Sequence, residues 1–127
     1  MSIVYRFEDQ DIEIGHTHPI VDEWAQSDGA ERWMILTAEN PWGEEFPKFI
    51  NKQRSNTLRD ILYESPFSFK EGVGEAEGYP TEVVFLIWGA TLEEIAELGC
   101  EMSQHAFIHG FVGAYAEVVT INNGGQG

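Results

Sequence analysis

The second half of the chain has no basic residues at all. Residues 71–127 contain nine glutamates and neither lysine nor arginine, whereas residues 1–70 hold 13 acidic and seven basic side chains. The formal net charge is −15 at pH 7. Affinity for DNA or RNA depends on clustered lysine and arginine side chains that displace counterions from phosphates. The composition therefore argues against direct nucleic-acid binding.

Cysteine and long apolar runs are also scarce. Cys100 is the single cysteine, so no internal disulfide can form, and this favours a reducing compartment. We expect Cys100 to be buried on the apolar side of a helix. No apolar run approaches the ~20 residues that a membrane helix needs, and the N-terminus lacks the pattern of a signal peptide. These features predict a cytoplasmic protein with no membrane partner.

Apolar and aromatic side chains are plentiful enough for a folded core. Hydrophobic residues make up 43% and aromatic residues 13% of the 127-residue chain, which is too rich for a disordered acidic segment. This length favours a single domain. Within it we interpret residues 1–30 as an N-terminal extension and residues 33–121 as the core. Residues 122–127 contain only Asn, Gly and Gln, which predicts a flexible tail.

Apolar periodicity and turn residues predict the order of the elements. The extension contains a short strand at 3–7 and a short helix at 20–26. The core elements are a strand at 33–38, a helix at 47–64, strands at 67–70 and 82–88, a helix at 92–102, and strands at 106–108 and 114–121. Thr91 and Glu94 form a capping-box pattern at the start of the second core helix. Residues 72–80, with three glycines, have the composition of a loop.

The order of the core elements predicts the fold class. It reads strand, helix, strand, strand, helix, strand, strand, which is typical of an α+β protein. We expect a two-layer sandwich with a mainly antiparallel sheet and helices on one face. The arrangement should be ferredoxin-like with one added strand.

Four short motifs along the core resemble those of a domain-of-unknown-function family of small bacterial and phage proteins. In chain order they are Thr-Ala-Glu-Asn-Pro at 37–41, Asn51 with Arg54, Glu82 at the start of an apolar strand, and Gln104-x-Ala106-Phe107 after an acidic helix. The resemblance covers about residues 33–120. It implies a shared fold and a shared polar cluster, and it implies no activity.

The polar cluster is the first candidate site. Its members lie at strand ends or on the helix above them, and they are Asn40, Arg54, Glu82, Gln104 and His105. Amides, a guanidinium and a carboxylate together suit a ligand with mixed donors and acceptors, such as a nucleotide-like metabolite. The alternative is that these side chains tie loops to strand ends through hydrogen bonds. Arg54 and Glu82 could equally form a structural ion pair.

A stripe of carboxylates is the second candidate site. Glu93, Glu97 and Glu101 follow one another at intervals of four residues on a predicted helix, with Glu94 beside them. Like charges at this spacing repel, so the stripe costs helix stability. One explanation is an acidic face that keeps the protein soluble. The other is a surface that docks on a basic protein, as an inhibitor or a nucleic-acid mimic.

Signatures of catalysis and of metal binding are weak. The glycine-rich stretch at 72–78 places Glu75 and Glu77 where a phosphate would lie, so it does not predict a phosphate-binding loop. Glu39 and Glu82 could supply a carboxylate pair for acid-base chemistry. Two pairs of histidines, His16 with His18 and His105 with His109, lack the further ligands that zinc needs. We expect no cofactor and no metal, and the weak signatures favour a protein that is not an enzyme.

The sequence therefore supports two functions. The favoured one is a non-enzymatic binding protein whose Glu-rich face meets a basic protein. The alternative is a small-ligand binder that uses the polar cluster. A third possible function is that of an uncharacterised enzyme.

Overall fold

The computed structural model describes residues 2–121, and the predicted tail at 122–127 lies outside them. The strands are β1 Val4–Phe7, β2 Gln10–Ile12, β3 Arg32–Leu36, β4 Ser68–Glu75, β5 Glu82–Trp88, β6 Ala106–Phe111 and β7 Glu117–Thr120. The helices are α1 Pro19–Ser27, α2 Lys48–Glu64 and α3 Leu92–Glu101, and a short 3-10 turn spans Pro41–Gly43. The predicted α+β class is confirmed.

All seven strands form one antiparallel sheet. Their order across the sheet is β2-β1-β4-β5-β3-β6-β7, and each neighbouring pair is antiparallel. The predicted antiparallel sheet is thus confirmed, but β2 was not predicted. The first strands of the chain belong to the sheet, since β1 pairs with β4.

The sheet is apolar on both faces. In β3, Met34 and Leu36 pack on one side with residues of α2 and α3, whereas Trp33 and Ile35 pack on the other side with residues of α1. The continuous apolar run in this strand reflects that double burial. The predicted layout with helices on one face is not confirmed, because α1 covers the face opposite to α2 and α3.

Strand β4 is longer than the glycines suggested. It continues through Gly72 and Gly74 as far as Glu75, although residues 72–80 had the composition of a loop. A Cβ atom at Gly72 would collide with the carbonyl oxygen of Arg6 and the ring of Phe7. Glycine is needed there because β1 approaches closely, so in this segment it indicates tight packing rather than a turn.

The two core helices begin and end close to their predicted bounds. The capping box at the start of α3 is present, with the hydroxyl of Thr91 accepting from Glu94 N and the Glu94 carboxylate accepting from Thr91 N. Cys100 is exposed, so its predicted burial is wrong. It lies three residues after Glu97, on the polar stripe of α3, while Ile95 and Leu98 carry the buried face. No helix within residues 2–121 is long and apolar enough to cross a membrane.

Candidate functional site

The loop that follows β3 has an unusual backbone. Asn40, Trp42 and Gly43 all have positive φ angles, of 49°, 61° and 73°. Asparagine and glycine tolerate this left-handed region, but a tryptophan rarely adopts it. The conformation of Trp42 is held by a 2.8 Å hydrogen bond from its N–H to the carbonyl of Ser103 and by packing of its ring 5.5 Å from that of His105. Strained backbone of this kind clusters at functional sites.

Two asparagines fix this loop to the start of α2. Asn51 Oδ1 accepts from the backbone N–H of Asn40 at 2.8 Å, and Asn51 Nδ2 donates to Asn40 Oδ1 at 2.9 Å and to the Phe46 carbonyl at 3.3 Å. Asn40 Oδ1 also accepts from the N–H of Phe46 at 2.9 Å. These amides hold one another and the backbone, so their hydrogen-bonding capacity is largely used within the protein.

Two carboxylates beside this network each accept hydrogen bonds through only one of their two oxygens. Glu39 is 7% exposed, and its Oε2 accepts from Ser55 Oγ at 2.9 Å and from the Val83 N–H at 3.0 Å. Glu82 Oε2 accepts from Asn40 Nδ2 at 2.7 Å. No hydrogen-bond donor within residues 2–121 reaches Oε1 of either glutamate. The one fully buried side-chain nitrogen or oxygen without a partner in that range is His109 Nε2, so both free oxygens retain access to solvent.

The surroundings of Glu82 disfavour its charge. Burial raises the pKa of its carboxyl, the hydrogen bond from Asn40 lowers it, and the neighbouring carboxylate of Glu39 raises it again. The pKa of the Tyr5 phenol is also raised, by burial first and by the charge of Glu82 second. A cationic or N–H-bearing ligand at this position would relieve the repulsion between the two carboxylates.

These side chains lie in a cleft of about 920 Å³ between α2 and the ends of β3 and β5. One wall is a polar stripe of α2 with helical spacing, formed by Lys48, Asn51, Lys52, Ser55, Asn56 and Arg59. The lining also contains four carboxylates, and Tyr79 and Phe46 contribute aromatic surface. The carboxylates are those of Glu39, Glu44, Glu45 and Glu82. This stripe was not predicted from the sequence, although polar residues that recur every three or four positions along α2 were its visible signal.

The structure brings three of the five predicted ligand residues to this cleft. Asn40, Glu82 and Gln104 line it, whereas Arg54 and His105 do not. Arg54 Nε donates to the carbonyl of Ala38 at 2.6 Å, and its Nη2 donates to the carbonyl of Met102. Gln104 Nε2 donates to the carbonyl of Glu39 at 3.1 Å. Arg54 thus connects the end of β3 to the end of α3 from behind the cleft, and it forms no ion pair with Glu82.

The four glutamates of the acidic stripe are all exposed on α3. Glu94 serves the capping box, so its carboxylate is engaged at the helix start. Glu93, Glu97 and Glu101 remain on the outer surface with no ion pair in the described part of the chain. Docking of a basic partner on them stays a prediction.

His105 and His109 lie in different surroundings and do not share a site. His109 is buried and its Nδ1 lies 2.9 Å from Glu117 Oε2, whereas His105 is exposed beside Trp42. Among residues 2–121, no three histidine, cysteine, aspartate or glutamate side chains are grouped so that they could hold a metal ion.

A family model described as a protein of unknown function (DUF3293) matches residues 36–107. Every residue that lines the cleft falls within this range, so the cleft belongs to the matched part of the chain. The comparisons with curated proteins and with solved structures found no match. The individual motifs and the bacterial or phage origin that the resemblance implied stay predictions.

Proposed function

The chain belongs to the DUF3293 family of unknown function, and we propose that it binds a small polar ligand in the cleft between α2 and the ends of β3 and β5. The observation that supports this proposal is the pair of free carboxylate oxygens on Glu39 and Glu82. The amides around them are satisfied by protein groups, whereas these two acceptors are without donors. Both oxygens are reached by solvent, so a ligand with N–H donors can replace that solvent and complete the network.

The shape and lining of the cleft favour a nucleoside-like ligand. Its volume of about 920 Å³ lies in the range of sites for small molecules and cofactors. Tyr79 and Phe46 provide aromatic surface on which a planar base can stack. A base with an exocyclic amino group presents the N–H donors that carboxylates accept. The proposal is for binding or sequestration of such a ligand, with no chemical turnover.

Titration calorimetry with adenosine tests this proposal. We expect measurable binding to the wild type and a loss of about tenfold in affinity for Glu82→Gln, because the charge-assisted hydrogen bond is lost. Burial raises the pKa of Glu82, so its carboxyl keeps a proton to higher pH than an exposed glutamate. Wild-type affinity should therefore increase as pH rises through that pKa, and the affinity of Glu82→Gln should stay flat.

The matched control is Glu77→Gln, which removes an equal charge from an exposed loop outside the cleft. It should bind adenosine as the wild type does over the whole pH range. If adenosine binds but Glu82→Gln and Glu77→Gln behave alike, the ligand does not meet Glu82 and the proposed site is wrong. If no nucleoside binds, the proposed ligand class is wrong.

The second function is docking of a basic protein on the acidic face of α3. Three exposed carboxylates on one helix, with no basic residue in its last turn, support it. We expect the double change Glu97→Lys with Glu101→Lys to abolish capture of any basic partner from host lysate at moderate salt. The control is Asp9→Lys with Glu64→Lys, which alters net charge equally elsewhere. Equal capture by both variants would refute the acidic-face function.

Two finer predictions also remain proposals. The segment from β3 to β6 has two helices on one face of the sheet and the strand order β4-β5-β3-β6, which supports a ferredoxin-like core extended by β1, β2 and β7. The single cysteine supports a cytoplasmic location.

A further inference from the structure

We propose that Lys48 and Lys52 form a phosphate-binding subsite in the cleft, so that the ligand is a nucleoside phosphate rather than a neutral nucleoside. This inference rests on the proposed function, because the nucleoside part would occupy the wall of Glu39 and Glu82. It adds a second recognition element in the same cleft, with the opposite charge.

The first support is the pairing of the basic residues. Three of the seven form ion pairs with acidic side chains, namely Arg6, Arg59 and Lys70. Arg54 donates to two backbone carbonyls, and Arg32 lies over the ring of Phe111. In the described part of the chain, only Lys48 and Lys52 have neither an ion pair nor such a contact. Two lysines without an acidic partner are unexpected in a chain with 22 acidic residues.

The second support is where these two cations lie. Both line the cleft, and they are four residues apart on α2, so they share one face of the helix. Like charges at this spacing repel each other, and an anion between them removes the repulsion. A phosphate group offers several acceptor oxygens that two ammonium groups can bind together.

The start of α2 adds to the positive potential. The helix has 17 residues, no side-chain cap at Pro47 and no acidic residue in its first turn. The first turns of α1 and α3, by contrast, contain Asp22 and Glu93 with Glu94. An uncapped helix start carries partial positive charge and unpaired N–H groups, both of which favour a phosphate.

The third support is a carboxylate that lies outside α2. Glu39 is more than nine-tenths buried, yet no protein donor reaches its Oε1. Its carboxylate and the two lysines line the same cleft. The cleft therefore holds both ammonium groups and free carboxylate oxygens, and a ligand that meets both carries an anion at one end and N–H donors at the other. Adenosine monophosphate has this distribution, and adenosine lacks only the phosphate.

Titration calorimetry with adenosine monophosphate and with adenosine tests the inference on the full chain. We expect the wild type to bind the monophosphate at least about tenfold more tightly at low salt, with an advantage that shrinks as salt increases. The double change Lys48→Gln with Lys52→Gln should reduce the ratio of monophosphate affinity to adenosine affinity to about one. Arg6→Gln with Arg32→Gln, which removes two charges elsewhere, should preserve the wild-type ratio.

The outcomes distinguish failure of the phosphate subsite from failure of nucleoside binding in the cleft. If both ligands bind equally to the wild type, or if the double lysine variant keeps the advantage, the phosphate subsite is refuted while nucleoside binding stands. If neither ligand binds, the proposed function fails together with the subsite. Both lysine side chains are exposed, so these variants should fold as the wild type does.

Discussion

Replacing Asn51 with leucine is expected to lower the free energy of unfolding by about 3 kcal/mol. Asn51 is 9% exposed, and its carboxamide binds the Asn40 N–H, Asn40 Oδ1 and the Phe46 carbonyl. Leucine has a similar size but offers no donor or acceptor. Each backbone group left unpaired in a buried place costs about 1–3 kcal/mol, and water reaching the loop from the cleft will recover part of that cost.

The same change should also impair the site. Asn40 has φ 49° and is held in this left-handed conformation partly by Asn51. Without that contact the loop relaxes, and Asn40 no longer fixes Glu82. Urea denaturation measures the loss of stability, and Gln53→Leu, on an exposed position of the same helix, is the control. We expect the control to change stability by less than about 0.5 kcal/mol. Similar values for both variants would show that the Asn40–Asn51 network is not a structural requirement.

Local signals in the sequence predicted most of the elements. The apolar run at 82–88 and the capping box of Thr91 and Glu94 depend on neighbouring residues only, and both appear in the structure where they were expected. The face that each helix covers depends on contacts between distant segments. The second apolar face of β3 was therefore not assigned to α1, and the glycines of β4 were interpreted as a loop.

Part of the candidate site was also predictable from local signals, because these show where strands begin and end. Asn40, Glu82 and Gln104 follow strand ends or precede them, so a sheet places them near one another. Arg54 has the same sequence signature as a ligand residue, but its guanidinium is used by the carbonyls of Ala38 and Met102. Pairing with backbone carbonyls leaves no trace in the sequence. The free oxygen of Glu39 could not be predicted from the sequence either, because the fold decides which donors reach that oxygen.

Replacing Gly110 with alanine is expected to destabilise the protein by about 3 kcal/mol, at the upper end for overpacking a core. Gly110 in β6 lies opposite Trp33 in β3, and a Cβ atom at this position would collide with the six-membered ring of that tryptophan. The indole cannot move away easily. It is fully buried, and its Nε1–H donates to Asp22 Oδ1 at 2.8 Å, while Asp22 Oδ2 accepts from the Gly113 N–H at 2.9 Å.

A double-mutant cycle with Trp33→Phe isolates this contact. Phenylalanine lacks the outer ring atoms that the new Cβ would meet, so the double variant should be more stable than the sum of the two single changes predicts. Thermal unfolding of the four proteins gives the coupling free energy, for which we expect about 1–2 kcal/mol of compensation. Strict additivity would mean that the cost of Gly110→Ala arises in the strand backbone and not in the packing of Trp33. Compensation would instead show that the pairing of β3 with β6 depends on the absence of a side chain at Gly110. Strand β3 is the strand that leads to Glu39 and Asn40 in the cleft.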